Sequence, residues 1–172
     1  MLKGPSQREE GDFRRKSDEV TNMDNYLNVL KDSLIKKESI LTTLIDKSEK
    51  QADIVKADQV NWDEFTKIVD EKGELIDEIM KLDDGFENLY ARIKEGLEEN
   101  KELYKDIISE IKTLIKSVTE KSANLQAIEY RNKSIIESAF ANTRKEIKQS
   151  KLGQKAAADY YNKMNKINTI DP

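Results

Sequence analysis

The sequence predicts an all-α protein: an elongated antiparallel helical bundle of three to four helices, with one very long C-terminal helix. Apolar residues recur at intervals of three and four positions through most of the chain, which is the spacing of an amphipathic helix. Only two prolines and six glycines occur among the 172 residues, and none lies between 101 and 152. Charged residues are as frequent as apolar ones, at 37% each, which suits seams between helices rather than a thick layered core.

The chain divides into three predicted regions. Residues 1–22 are polar and carry no apolar period, so we expect a disordered leader. They also lack the apolar stretch of a secretory signal. Residues 23–150 form the predicted helical bundle domain, and residues 151–172 form a flexible amphipathic C-terminal tail.

The first two helices have recognisable starts. The first is predicted from Asp24 to about Val55, with Asn22 or Asp24 accepting hydrogen bonds from the free amides of its first turn. The second begins after Asn61, which forms a capping box with Glu64 three residues later. Gly73 lies inside the second helix, where it indicates a kink or a close helix crossing.

The motif Asp83-Asp84-Gly85 is predicted to end the second helix in a turn. A calcium loop of the EF-hand type needs a glutamate six residues after its glycine, and Ala91 stands there instead. A short third helix would follow. Asn100 then either caps the long C-terminal helix, or the third helix continues into it without a break.

The long helix is predicted over 100–150 and would measure roughly 75 Å, against roughly 50 Å for the first helix. Its end, residues 131–150, should therefore project beyond its neighbour with apolar side chains uncovered. Asn132 falls on the apolar seam, where an asparagine can fix the register of paired helices. The alternative is that Asn132 faces water where the first helix has already ended.

The tail carries Tyr160, Tyr161, Met164 and Ile167 at helical spacing. Exposed tyrosine and methionine side chains are common where a flexible segment recognises a protein partner. The stripe could equally fold back onto the bundle and complete its core. The sequence leaves both interpretations open.

Several classes of function are excluded or disfavoured. Without cysteine or histidine, the chain has no disulfide, thiol nucleophile, histidine base or histidine metal ligand. We expect no enzyme activity, no cofactor and no metal. The net charge of −4 and the lack of aromatic residues among the basic ones disfavour nucleic acid. No run approaches the roughly 20 apolar residues that insertion into a membrane requires.

Four stretches of the chain together resemble the FlgN-type flagellar export chaperones, from about Tyr26 to Tyr161. They are Tyr26-Leu27 with Leu30, Leu34 and Lys36-Lys37-Glu38; Trp62-Asp63-Glu64-Phe65 with Ile68-Val69-Asp70-Glu71-Lys72 and Leu75-Ile76; Lys101-Glu102-Leu103-Tyr104 with Ile107 and Ile111; and Glu129-Tyr130-Arg131-Asn132 with Ile136, Arg144-Lys145, Lys148 and Tyr160-Tyr161.

The resemblance implies a cytoplasmic chaperone of type III secretion. Its partners would be the terminal helices of flagellar hook-associated proteins and the cytosolic domain of the export gate, and a homodimer is left open. The family uses its C-terminal part for contacts, so the implied partner-binding residues are Ile135, Ile136, Ala139, Phe140, Tyr160, Tyr161, Met164 and Ile167. The alternative function is an antiparallel coiled-coil adapter that self-associates.

Overall fold

The computed structural model describes residues 7–142 and 147–167. Over these residues the chain forms four helices: α1 (Gln7–Lys56), α2 (Trp62–Glu99), α3 (Lys105–Asn142) and α4 (Ile147–Ile167). No strand occurs in the described residues, and the predicted all-α bundle is confirmed.

Helices α1 and α2 form an antiparallel hairpin. The Lys47 ammonium pairs with Glu71 at 2.7 Å and the Lys37 ammonium with Asp83 at 2.6 Å, so α2 runs back along α1. Asn61 caps α2 as predicted, because its side-chain oxygen accepts a hydrogen bond from the Glu64 backbone amide at 3.2 Å.

Helix α3 runs parallel to α1 on its other side. The Lys31 ammonium meets Glu110 at 2.6 Å and the Lys121 ammonium donates to the Thr42 hydroxyl at 2.9 Å, which keeps the same register over a dozen residues. A turn at 100–104 joins α2 to α3, and Asn100 forms the C-cap of α2 rather than the N-cap of a longer helix.

Helix α4 returns antiparallel to α3. The Tyr160 hydroxyl donates to Glu129 at 2.9 Å, and a β-carbon placed on Gly153 would lie 3.6 Å from the Phe140 ring. In one straight helix, Glu129 and Tyr160 would be roughly 46 Å apart. The prediction of a single helix over 100–150 is therefore wrong, because α3 and α4 are two helices that run in opposite directions.

The longest helix is α1, whose 50 residues correspond to about 75 Å. It begins at Gln7, well before the predicted start at Asp24, so the described part of the predicted leader is helical. Residues 1–6, 143–146 and 168–172 lie outside the described residues. The division into leader, bundle and tail, and the flexibility of the tail, stay predictions.

Helix α2 continues through the position at which a turn was predicted, so that prediction is wrong. Asp83 is buried, and the Lys37 ammonium binds one of its carboxylate oxygens at 2.6 Å, which holds in the helix a side chain that would otherwise favour a turn. Gly85 keeps a helical backbone, since the described glycines include none with positive φ.

The core follows the seam between the helices. Leucines of α1 meet apolar residues of α2 and α3, and α4 adds Ala157, Tyr160 and Met164 along α2. At the end where α1 joins α2, Trp62 packs edge-on against Phe65 with ring centroids 5.4 Å apart. This aromatic group closes that end of the bundle.

Candidate functional site

The predicted partner-binding residues of α3 lie where α4 folds back. Ile136 is 2% exposed, and Ile135 and Ala139 are half-buried beside it. The Phe140 ring stacks on Trp62 with centroids 4.9 Å apart and meets Phe65 edge-on at 5.8 Å. The expectation that this end of α3 projects uncovered is wrong, because α4 and α2 cover it.

The predicted residues of the tail complete the same core. Tyr160 is 2% exposed and Met164 is also buried, while Tyr161 and Ile167 are half-buried. The structure thus brings the α3 residues and most of the tail residues together along one seam, with Ile167 at its far end. Of the two interpretations of the tail stripe, it shows the stripe folded back on the bundle. A role of these eight residues in binding a partner stays a prediction.

A buried polar cluster joins all four helices beneath this seam. Its members are Ser48 and Gln51 from α1, Lys72 from α2, Glu129 and Asn132 from α3, and Tyr160 from α4. All six are at least nine-tenths buried, although four of them are charged or amide side chains. Buried polar groups of this kind must find partners within the protein.

The Glu129 carboxylate is the centre of that cluster. One of its oxygens accepts hydrogen bonds from the Ser48 hydroxyl, the Lys72 ammonium and the Tyr160 hydroxyl. The Lys72 ammonium also donates to the Gln51 side-chain oxygen at 2.6 Å and lies 4.2 Å from the centre of the Tyr160 ring. All four helices therefore contribute a side chain to hydrogen bonds that meet at one carboxylate oxygen or one ammonium group.

Asn132 extends the cluster to the backbone of α1. Its side-chain amide donates to the Ser48 carbonyl at 2.7 Å, and the residue is buried. The water-facing alternative for Asn132 is therefore wrong, and its position is one from which it fixes the register of α3 against α1.

Burial changes the acidity of two members of the cluster. It lowers the pKa of the Lys72 ammonium, and the adjacent Glu129 carboxylate opposes that change. Burial raises the pKa of the Tyr160 hydroxyl, and the Glu129 charge raises it further. These groups are almost fully buried and do not line the open groove described below, so their arrangement suits alignment of helices rather than acid–base chemistry.

Beyond the end of α4 the bundle has an open groove. Helix α4 runs parallel to α2, with its Lys163 ammonium 3.0 Å from Asp77, and it ends at Ile167. Helix α2 continues for another 22 residues after Asp77, to Glu99. Along that length no described helix fills the space between α2 and α3, and α1 lies at the bottom.

We define the groove by its floor and two walls. The floor consists of leucines of α1 and buried isoleucines of its neighbours, the walls are residues 79–98 of α2 and 105–126 of α3, and Met164 and Ile167 close the end next to α4. Its apolar surface includes Leu27, Leu30, Leu34, Phe86, Leu97 and Ile115. The cavity volume is about 1150 Å³.

These dimensions suit one helix of a partner. Walls of about 20 residues are about 30 Å long, which corresponds to five or six helical turns. An amphipathic helix that lays its apolar stripe on the leucines of α1 would complete the fourth position of the bundle. The sequence signal that could have located this groove is the short length of the last apolar stripe compared with those of the other helices.

Other kinds of site find no support in the part of the chain that the structure describes. There, no three acidic, cysteine or histidine side chains gather in a way that could hold a metal ion. None of the helices over 7–142 and 147–167 has the length and apolar character needed to cross a membrane.

Comparison with known proteins gives one finding. Neither a search of curated proteins nor a search of solved structures returned a match. The family model described as FlgN protein matches residues 23–167, which runs from the start of the packed part of α1 to the end of α4. Because this match spans most of the chain, the chain belongs to the FlgN family, which is a family of flagellar export chaperones.

Proposed function

We propose that this chain is a cytoplasmic chaperone that binds hook–filament junction proteins of the flagellum through a terminal helix and passes them to the cytosolic domain of the type III export gate. The observation that carries the proposal is the open apolar groove between α2 and α3, in a chain of the FlgN family. Capture of a helix in such a groove would hold the client unassembled.

The half-covered apolar side chains of the groove favour binding of a helix. Phe86, Leu97 and Ile115 are partly exposed around a floor of buried leucines. A client helix that covers them removes apolar surface from water on both molecules, at about 25 cal/mol for each Å². Without the chaperone, the apolar stripe of the client helix would be free to associate with other subunits of the flagellum.

The resemblance places partner contacts in the C-terminal part, and the groove lies next to that part. Met164 and Ile167 line the end of the groove, so we propose that they contact the client directly. Tyr160 is buried on the inner face of α4, and Ile136 and Phe140 lie on the end of α3 that α4 covers. We propose that they act on the client indirectly, by holding α4 in the position that leaves the groove open.

The test measures binding of purified hook–filament junction proteins to the full chain by isothermal titration calorimetry. We expect Phe86→Asp and Ile115→Asp to weaken client binding at least tenfold, since each places a charge on the apolar surface that the client helix would cover. Tyr130→Asp is the matched control, because Tyr130 is 82% exposed on α3 and does not line the groove.

Two results would overturn the proposal. One is unchanged client affinity in both groove variants, with circular dichroism showing that they are folded. The other is that the wild-type protein binds no junction protein and instead self-associates in analytical ultracentrifugation. Loss of that self-association in Phe86→Asp would favour the coiled-coil adapter. Delivery is tested separately, by binding of the client complex to the purified cytosolic domain of the export gate.

A further inference from the structure

The two walls of the groove carry opposite charges. Lys105 and Lys112 line it from α3, and no acidic residue of α3 does so. On α2 the charged lining residues are Asp83, Glu87, Lys94 and Glu98, with three acids against one base. The turn between the helices adds Lys101 and Glu102, whose charges cancel.

Most of these wall charges have no partner within the described chain. Asp83 is paired with Lys37 of α1 at 2.6 Å. Glu87 and Glu98 on α2, and Lys105 and Lys112 on α3, form no ion pair with any residue over 7–142 and 147–167. The groove therefore has an apolar floor between a basic edge on α3 and an edge on α2 that is acidic by one charge, with Glu87 and Glu98 against Lys94.

The registers of the helices bring the two edges together. Asp83 lies opposite Lys37 and Glu71 opposite Lys47, which places Glu87 beside the part of α1 near residue 32. The Lys31–Glu110 pair places Lys112 beside the same part of α1. Glu87 and Lys112 thus stand at one level of the groove, on opposite walls.

We propose that the groove selects an amphipathic helix with acidic residues along one flank, facing α3, and basic residues along the other, facing α2. Lys105 and Lys112 are seven residues apart, or two turns, so the partner's acidic residues would also be about seven apart. The partner is the client helix of the proposed function, on which this inference rests. The two charged edges give that helix one direction in the groove.

The arrangement gives specificity more than affinity. Each partly exposed ion pair contributes about 0.2–1 kcal/mol, which corresponds to less than tenfold in affinity. A helix inserted in the reverse direction would place like charges together on both walls. Electrostatic complementarity of this kind discriminates between orientations and raises the rate of association.

The test uses the full chain and two synthetic helical peptides of about 20 residues with the same apolar stripe. One peptide has glutamates seven apart on the flank facing α3 and lysines on the other flank, and the second has the two exchanged. Fluorescence anisotropy measures both dissociation constants. We expect the first peptide to bind wild type at least fivefold more tightly, and the preference to shrink as salt rises.

Charge reversal of the wall should reverse the preference. Lys105→Glu with Lys112→Glu should weaken binding of the first peptide about tenfold and strengthen binding of the second. Lys116→Glu is the matched control, since Lys116 is an exposed residue of α3 that does not line the groove, and it should change neither constant by more than about twofold.

The outcomes separate this inference from the proposed function. If junction proteins bind in the groove but the reversed wall leaves both peptide affinities unchanged, the inference fails and the chaperone function stands. If the peptides follow the charge pattern but no junction protein binds, the charge selection stands and the client identity fails. Failure of both peptides to bind wild type would overturn the charge-selective groove itself.

Discussion

The Lys72–Glu129 pair is an uncommon choice for the middle of a bundle. Both side chains are almost fully buried, and taking two charges out of water costs energy that their attraction only partly returns. The pair constrains where the helices lie, because Ser48 of α1 and Tyr160 of α4 must both reach the same Glu129 carboxylate oxygen. We infer that the cluster specifies how the four helices align.

The first prediction tests that pair by a double-mutant cycle. We expect Lys72→Met and Glu129→Leu each to lower the free energy of unfolding by about 3–5 kcal/mol, because each leaves one buried charge uncompensated. The double variant should lose less than the sum of the two. Urea unfolding followed by circular dichroism measures all four proteins, and simple additivity would contradict a coupled pair.

The second prediction concerns alkaline pH. Since burial raises the pKa of the Tyr160 hydroxyl above its usual value near 10, the folded chain keeps a proton that the unfolded chain releases. The contribution of Tyr160 to the free energy of unfolding is complete below pH 10. Above pH 10 the free energy of unfolding falls by about 1.4 kcal/mol for each pH unit. Burial also raises the pKa of Tyr161, with the same sign.

Lys72 acts in the opposite direction. The pKa of the Lys72 ammonium is lowered. Between that lowered pKa and the usual value near 10.5, the free energy of unfolding therefore increases as the pH rises. To isolate the tyrosine, urea unfolding of wild type and Tyr160→Phe is compared at pH 9.5 and pH 11. Wild type should lose more stability over this interval, and equal losses would show that Tyr160 ionises normally in the folded chain.

At the scale of single residues, the sequence identified Asn132 as a candidate for burial but did not indicate the buried polar cluster. An asparagine on an apolar seam stands out, and its burial was one of the two alternatives. Lys72 and Glu129 are two of very many lysines and glutamates, which are nearly always exposed. Only the crossing of α2, α3 and α4 distinguishes them, and that crossing depends on contacts far apart in the chain.

At the scale of helices, two glycines differ in the space around them and allow opposite predictions for substitution. A β-carbon on Gly85 would meet nothing within 4 Å, whereas one on Gly153 would lie 3.3 Å from the Phe65 ring. Gly85→Ala should therefore stabilise the protein by about 0.5–1 kcal/mol, because alanine favours the helix. Gly153→Val should destabilise it by about 1–3 kcal/mol, because the added methyl groups crowd that ring.

Thermal unfolding measures both variants. The sign for Gly85 also distinguishes a continuous α2 from the turn that the sequence predicted, since a glycine with positive φ would be destabilised by alanine. A lower melting temperature for Gly85→Ala would contradict the continuous helix. A Gly153→Val protein as stable as wild type would contradict the close approach of α4.

The periodic pattern predicted the helices better than the turns. The apolar stripes of the first two predicted helices lie in α1 and α2, the stripe of the predicted long helix is divided between α3 and α4, and the Asn61 cap is where the sequence placed it. The motif at Asp83 was misread because its salt bridge to Lys37 comes from 46 residues away. The opposite directions of α3 and α4 were missed because neither glycine nor proline occurs between residues 101 and 152.

At the scale of the molecule, a short helix does leave apolar surface uncovered on longer neighbours, but it is not the helix that the sequence predicted. The sequence predicted a short first helix beside a longer C-terminal helix. The short helix is α4, with 21 residues, and the surface lies on α2 and α3, with 38 residues each. Finding the groove required the position of α4, which depends on the reversal that the sequence did not reveal.

Because α4 covers only part of its neighbours, α2 has one segment that is enclosed by other helices and one segment that borders the groove. The part of α2 from Trp62 to about Ile79 is enclosed by α4 and the core, while the part that follows borders the groove. Amide hydrogen exchange should therefore become abruptly faster past Ile79 within one continuous helix, with protection at least tenfold higher before Ile79 than after it. A saturating client helix should remove that step, so the exchange profile of α2 would report, residue by residue, whether the chaperone is loaded.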